Sequence, residues 1–130
     1  AVFSQTGVDC SCGMLFNYKS GQLSVLDSTF LANTETEATV YGDKGKIIVH
    51  SRFHHSKKLS VCLNDESIET FEIDYIGSGY FHEIEEVNYC LQNNLLESKK
   101  MPHSFSLDLI TTLDNIRAVI GLAYPSDNLD

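Results

Sequence analysis

The stretch GSGYFHEIEEVNYCL, residues 77–91, is where the chain stops alternating with a period of two and begins to repeat every three to four residues. Tyr80, Ile84, Val87 and Leu91 fall at i, i+4, i+7 and i+11, one stripe of a 3.6-residue helix. Glu83, Glu85 and Glu86 crowd its first turns, where the positive end of the helix dipole favours carboxylates. Gly77 and Gly79 precede the helix, so the junction reads strand–Gly–x–Gly–helix. Such a junction is either a phosphate cradle or a tight turn. A dinucleotide fingerprint needs a third glycine where this chain has His82. The early glutamates would repel a pyrophosphate, and no second parallel βαβ unit follows. The glycines are therefore expected to serve the turn, with no dinucleotide bound by this chain alone.

On the N-terminal side of this junction the pattern is that of strands. Val8, Cys10, Cys12, Met14, Phe16 and Tyr18 alternate with Asp9, Ser11, Gly13, Leu15 and Asn17, as in a long half-buried strand. The turn residues of NYKSG (17–21) and a returning strand over 22–31 make a hairpin. Residues 34–41 and 46–50 read as two more strands about the turn at 42–45. The polar run RFHHSKK (52–58) reads as a loop. Strands at 59–63 and 67–75 turn at Asn64-Asp65-Glu66. On the C-terminal side, the first helix spans about 80–93. A second runs from about Ser104 to Ile120, with Leu109, Leu113, Ile116 and Ile120 as its stripe. Ser104 or Ser106 is its expected N-cap and Gly121 its C-terminal glycine. The polar tail from Pro125 ends the ordered structure. Strands followed by two helices predict an α+β fold: one large, mostly antiparallel open β-sheet with both C-terminal helices packed on one face. The other face, carrying Leu, Phe, Thr and Ser, is expected to meet a partner.

Composition narrows the function. The 130 residues suit a single domain, 1–130, with one core, and 42% apolar content suits a globular one. The net charge of −9 argues against a nucleic-acid or anionic-membrane partner. No run of apolar residues is long enough to span a membrane, and no signal peptide is visible, so a cytoplasmic protein is expected. The chain opens without Met on Ala1-Val2-Phe3-Ser4, itself strand-like, which suggests an excised domain or a processed chain. Cys10, Cys12, Cys62 and Cys90 lack the paired spacing of a zinc site and read as reduced thiols packed as small apolar residues. His50, His54, His55, His82 and His103 show no ligand spacing. Lys57–Lys58 and Lys99–Lys100 read as solvated surface lysines, and Glu69, Glu72 and Asp74 as a solvated strand edge. No nucleophile elbow or Cys–His pattern is present, so no complete active site is expected, and no metal.

Read in order, Thr6-Gly7-Val8-Asp9, Gly21 and Tyr41-Gly42-Asp43-Lys44-Gly45-Lys46-Ile47 form a recognisable series. It continues with Gly79-Tyr80, His82-Glu83, Glu97-Ser98 and Met101-Pro102, then Asp114, Ile116, Arg117, Ile120, Gly121, Tyr124 and Pro125. It resembles the C-terminal domain of the Gfo/Idh/MocA oxidoreductases, in the branch of the dihydrodiol and xylose dehydrogenases. The resemblance implies an N-terminal Rossmann domain in the same protein that binds NAD or NADP, no cofactor on this chain, and a homodimer through the open sheet face. It implies hydride transfer to or from a sugar-like or diol carbon, with the proton-handling residues lying before Ala1, so no catalytic residue is assigned here. The loop Arg52-Phe53-His54 and the junction Tyr75–Tyr80 correspond to segments that approach substrate, which makes Phe53 and Tyr80, with His82 beside them, the substrate-binding candidates. Two other readings stand beside this one: a stand-alone interaction module using the same sheet face, and a thiol or metal enzyme on Cys10, Cys12 and a histidine.

Overall fold

A computed structural model describes residues 1–124 and residue 127. Pro125, Ser126 and residues 128–130 of the polar tail lie outside the described residues. The fold is α+β, with seven antiparallel strands and two α-helices among the described residues, as the alternation predicts. The strands form two open sheets, one of three strands and one of four, where a single large sheet is expected from sequence. The chain divides into two compact units, residues 1–34 with 99–130, and residues 35–98.

The first unit holds β1 (Val2–Phe3), β2 (Asp9–Asn17), β3 (Leu23–Thr29) and α2 (His103–Ile120). β2 and β3 pair from Ser11↔Thr29 to Asn17↔Leu23, closed by Tyr18 N–H to the Gln22 carbonyl at 3.0 Å and Gly21 N–H to the Tyr18 carbonyl at 2.9 Å. Period-2 geometry sorts this pair. Cys10 and Cys12 are buried, while Leu15 and Val25, directly opposite each other, are 67% and 81% exposed. Cys12 and Met14 of β2 line a cleft with Leu113, Ile116 and Ile120 of α2, so most of the expected α2 stripe does face the sheet. Leu109 is half exposed.

The second unit is a four-stranded meander of β4 (Ala38–Gly42), β5 (Gly45–Val49), β6 (Lys58–Leu63) and β7 (Ile68–Glu72), followed by α1 (Phe81–Gln92). The β4–β5 turn needs glycine at position 45. Its φ is 150°, and a Cβ there would sit 2.2 Å from the Cys62 carbonyl oxygen and 2.8 Å from Leu63 Cα on the neighbouring strand. Asn64 ties this turn to the next one, donating from Nδ2 to the Asp43 carbonyl at 2.8 Å and from its backbone to the Lys44 carbonyl at 3.1 Å. Register places Val40, Ile47 and Val61 on one face and Thr39, Ile48, Ser60 and Thr70 on the other.

Three local expectations change. The α2 N-cap is Pro102, in extended conformation and without a side-chain cap bond, rather than Ser104 or Ser106. Proline's fixed φ admits the chain to the helix one step earlier. The loop at 52–58 contains one turn of 3₁₀ helix, Phe53–His55. In α1 the buried residue is Cys90, with Glu86 half-buried one turn before it, whereas Tyr80, Ile84, Val87 and Leu91 are all exposed. Periodicity finds an apolar stripe but not which surface covers it.

Candidate functional site

The 3₁₀ turn and the strand ends beside it bring the chemistry of the second unit together. Arg52 starts the turn in the left-handed region, at φ 59°. Its N–H bonds Thr36 Oγ1 at 2.8 Å and the next N–H bonds the Thr36 carbonyl at 2.8 Å, which holds the strained residue in place. The rings of Phe53, His54, His55 and Tyr75 then follow in edge-to-face succession, with centroids 5.7, 4.8 and 6.4 Å apart. Tyr75 Oη lies 3.5 Å from His55 Nδ1. The Lys57 ammonium sits 4.8 Å from the centre of the Tyr75 ring and donates to Asp74 Oδ1 at 2.8 Å. The Ile73 N–H reaches the Lys57 carbonyl at 2.8 Å, extending the β6–β7 register by one step and placing Lys57 and Asp74 side by side.

These residues border a cleft of about 320 Å³. Val49, Leu59, Phe71 and Ile73 give it an apolar floor, and Lys57, Asp74, Tyr75 and His82 a polar rim. The hydrogen bond from Lys57 to Asp74, reinforced by their opposite charges, holds the Asp74 carboxyl below the usual carboxylate range and raises Lys57 above the usual lysine range. Both therefore stay charged at neutral pH. A cation over an aromatic face, beside a carboxylate with a second oxygen open to solvent and an imidazole, is a surface suited to a polyhydroxylated ligand. An aromatic face can pack against C–H groups, and a carboxylate oxygen can accept from hydroxyls.

Of the sequence candidates, His82 lines this cleft, from the first turn of α1. Phe53 joins it through the ring succession, without lining it. Tyr80 is 65% exposed just before α1 and stands outside it. In sequence alone Lys57 and Asp74 look like solvated surface and strand edge, and no spacing singles out His55. The signal that finds the pair is register: a hairpin turning at 64–66 sets residues near 57 and 73 opposite each other. The glycines of the junction take φ of 59° at Gly77 and 95° at Gly79, with the Gly79 N–H on the Ile76 carbonyl at 3.2 Å, the backbone of a tight turn.

A second polar array crosses the sheet. Glu37 Oε2 lies 3.5 Å from His50 Nδ1, His50 Nε2 lies 2.8 Å from Ser60 Oγ, and Ser60 Oγ lies 3.0 Å from Thr70 Oγ1. Carboxylate, imidazole and hydroxyl follow each other as in a hydrolytic triad. The setting is wrong for that chemistry. Ser60 is buried in mid-strand, its hydroxyl is shared with Thr70, and its neighbours' N–H groups are spent on the ladder rather than on an oxyanion. The array satisfies a buried hydroxyl and ties β6 and β7 to the residues flanking β4 and β5. The four cysteines are free thiols, three of them buried. Among the described residues no group of three or more His, Cys, Asp or Glu side chains is arranged to hold a metal, and no helix is long and apolar enough to cross a membrane.

No family model matches the chain. It is similar to trans-1,2-dihydrobenzene-1,2-diol dehydrogenases of Danio rerio, 30% identical over 132 residues, and Xenopus tropicalis, 29% identical over 129 residues. These matches cover 95% and 93% of this chain and 38% of each relative. It is also similar to the scyllo-inositol 2-dehydrogenase (NADP(+)) IolU of Bacillus subtilis, 25% identical over 122 residues, covering 94% of this chain and 37% of the relative. The chain thus spans less than two fifths of the length of the curated relatives it matches, and its similarity at family level is to oxidoreductases.

Proposed function

We propose that this chain is the C-terminal domain of an NAD(P)-dependent oxidoreductase acting on a sugar or diol. It forms one wall of the substrate pocket and a dimer surface, and performs no catalysis by itself. The observation that carries this reading is the extent of the similarity: nearly all of this chain matches less than two fifths of enzymes named for diol and inositol dehydrogenation. The nicotinamide cofactor belongs to a Rossmann domain N-terminal to this one, and the proton-handling groups to that domain and to the segment that joins it to this one. On this side the cleft at Lys57, Asp74, Tyr75 and His82 supports recognition of a polyol, with Phe53 and Tyr80 on the neighbouring segments. A cytoplasmic location accompanies this reading.

The test is dehydrogenase activity of the full-length parent with an inositol or a trans-dihydrodiol and NADP or NAD. Turnover is expected, with Asp74→Asn raising KM by at least about ten-fold. Absence of turnover with every diol and polyol tried, in a folded parent that does bind NADP(H), would sink the assignment. The dimer surface rests on Leu15, Val25 and Leu23, exposed together on one face of β2–β3. Sedimentation equilibrium showing only monomer at high concentration argues against it. The same patch favours the second reading, a stand-alone interaction module, which an open reading frame starting just before Ala1 would support.

A further inference from the structure

One edge of β2 is open along most of its length. β1 covers it only at Asp9 and Ser11, opposite Phe3 and Val2, whereas β3 lies along the other edge from Ser11 to Asn17. The alternation of the ladder tells which groups the open edge presents. Tyr18 N–H bonds the Gln22 carbonyl at 3.0 Å and Phe30 N–H bonds the Cys10 carbonyl at 3.1 Å, so Cys12, Met14 and Phe16 between them exchange their bonds with β3. The N–H and C=O groups of Gly13, Leu15 and Asn17 therefore point the other way, where no strand among the described residues pairs with them. All three residues are exposed. A row of backbone donors and acceptors outside any ladder is a template for a further strand.

Beside this edge runs a cleft of about 440 Å³, lined by residues 13–16 of β2 and by Ile116, Val119 and Ile120 of α2. Successive side chains of a strand point to opposite faces, so a cleft that touches four in a row lies along the strand's edge rather than over one face. We propose that the residues preceding Ala1 in the longer protein occupy this place as an upstream continuation of β1 and complete the edge of β2. The proposal rests on the reading of this chain as a C-terminal domain. Direction selects this occupant. β1 runs antiparallel to β2 with Val2 opposite Ser11, so the chain traced backwards from Val2 advances along β2 towards Asn17. About five residues before Ala1 cover the whole open stretch, since paired strands advance residue for residue. A strand from a second copy would instead have to end against β1. The cleft leaves room for those side chains of the added strand that turn towards α2. The domain that carries the cofactor is then joined to this one through a strand of its sheet, not through a free linker.

The test is amide hydrogen exchange, read residue by residue, on this chain and on the same chain extended upstream by ten residues of its parent. In the shorter chain Gly13 and Leu15 are expected to exchange at least about ten-fold faster than Met14 and Phe16, whose N–H groups bond β3. In the extended chain that difference should close, with Gly13 and Leu15 slowed by at least about ten-fold. Gly13 and Leu15 that remain fast in the extended chain overturn the proposal. So does protection of the two in the shorter chain that grows with protein concentration, which reports pairing between copies. The domain assignment fails separately. A parent that oxidises diols or polyols while its Gly13 and Leu15 amides stay unprotected loses this strand and keeps the assignment; a protected edge in a parent inactive on all of them does the reverse.

Discussion

The two compact units are built from the same materials, antiparallel hairpins and one helix each, and put their polar side chains to opposite uses. In residues 1–34 with 99–130 the facing surfaces of β2 and α2 carry thiols and aliphatic groups, and Asp114, Arg117 and Asp127 form a charged clamp at the end of α2. In residues 35–98 a hydroxyl–imidazole–carboxylate chain crosses the sheet, and a lysine, an aspartate and a tyrosine stand at the mouth of a cleft. The difference teaches where ligand recognition should be sought. Charges paired across the end of one helix hold the chain to itself. Charges at strand ends beside an aromatic face are paired too, but there the Asp74 side chain keeps 86% of its exposure beside a cleft.

Three experiments strain this contrast, and the largest effect lies in the turn on which the second unit depends. Gly45→Ala forces a Cβ into the Cys62 carbonyl from a backbone conformation that alanine resists. A loss of at least about 3 kcal/mol in urea denaturation is expected. A change under about 0.5 kcal/mol would show that the β4–β5 hairpin relaxes freely. Next is Ser60→Ala, which deprives His50 and Thr70 of a shared buried partner. Its cost is expected at about 1–3 kcal/mol, with chemical-shift changes reaching both β5 and β7. A neutral result would reduce the array to incidental contact. The smallest stability effect belongs to the exposed Lys57–Asp74 pair, where Lys57→Ala should leave the urea midpoint of unfolding essentially unchanged while weakening polyol binding in the parent. The reverse outcome, a stability loss with binding intact, would make the pair a structural tie. Its pH dependence follows from the shifts. Asp74 is held low, so its contribution is full at neutral pH and is lost as pH falls through its lowered pKa; Lys57 is held high, so its contribution is lost only as pH rises through its raised pKa. Binding should accordingly be flat through the neutral range, and a sharp step there would count against the pair as the determinant.

Much of this fold was legible in the chain, and the reasons are local. Alternation over residues 8–18 marks β2, and the period change at Gly77–Tyr80 marks α1 to within a residue at each end. The glycines at 121 and at the 42–45 turn announce their positions because few other residues tolerate those backbones. What was hidden is non-local. Nothing in the alternation says that strands 1–3 and 4–7 form separate sheets, since pairing between strands depends on contacts far apart in sequence. The α1 stripe was visible but its covering surface was not. At the candidate site His82 was found because it opens a helix beside an unusual junction. Lys57 and Asp74 were missed because each alone is an ordinary surface residue and only strand register makes them a pair.

The division of the chain carries one more implication. One unit is contiguous, Glu35 to Ser98, whereas the other must bring residues 1–34 together with 99–130. The first is in effect an insertion in a loop of the second. A meander whose strands pair only with their sequence neighbours assembles quickly, whereas joining β2 to α2 closes a loop that costs about 4 kcal/mol in chain entropy before any contact repays it. The inserted unit is therefore expected to form first and, once compact, to shorten the loop that the outer unit has to close. Pulse-labelled hydrogen exchange should show β5 and β6 amides protected ahead of those in β2; simultaneous protection would mean that the two assemble as one.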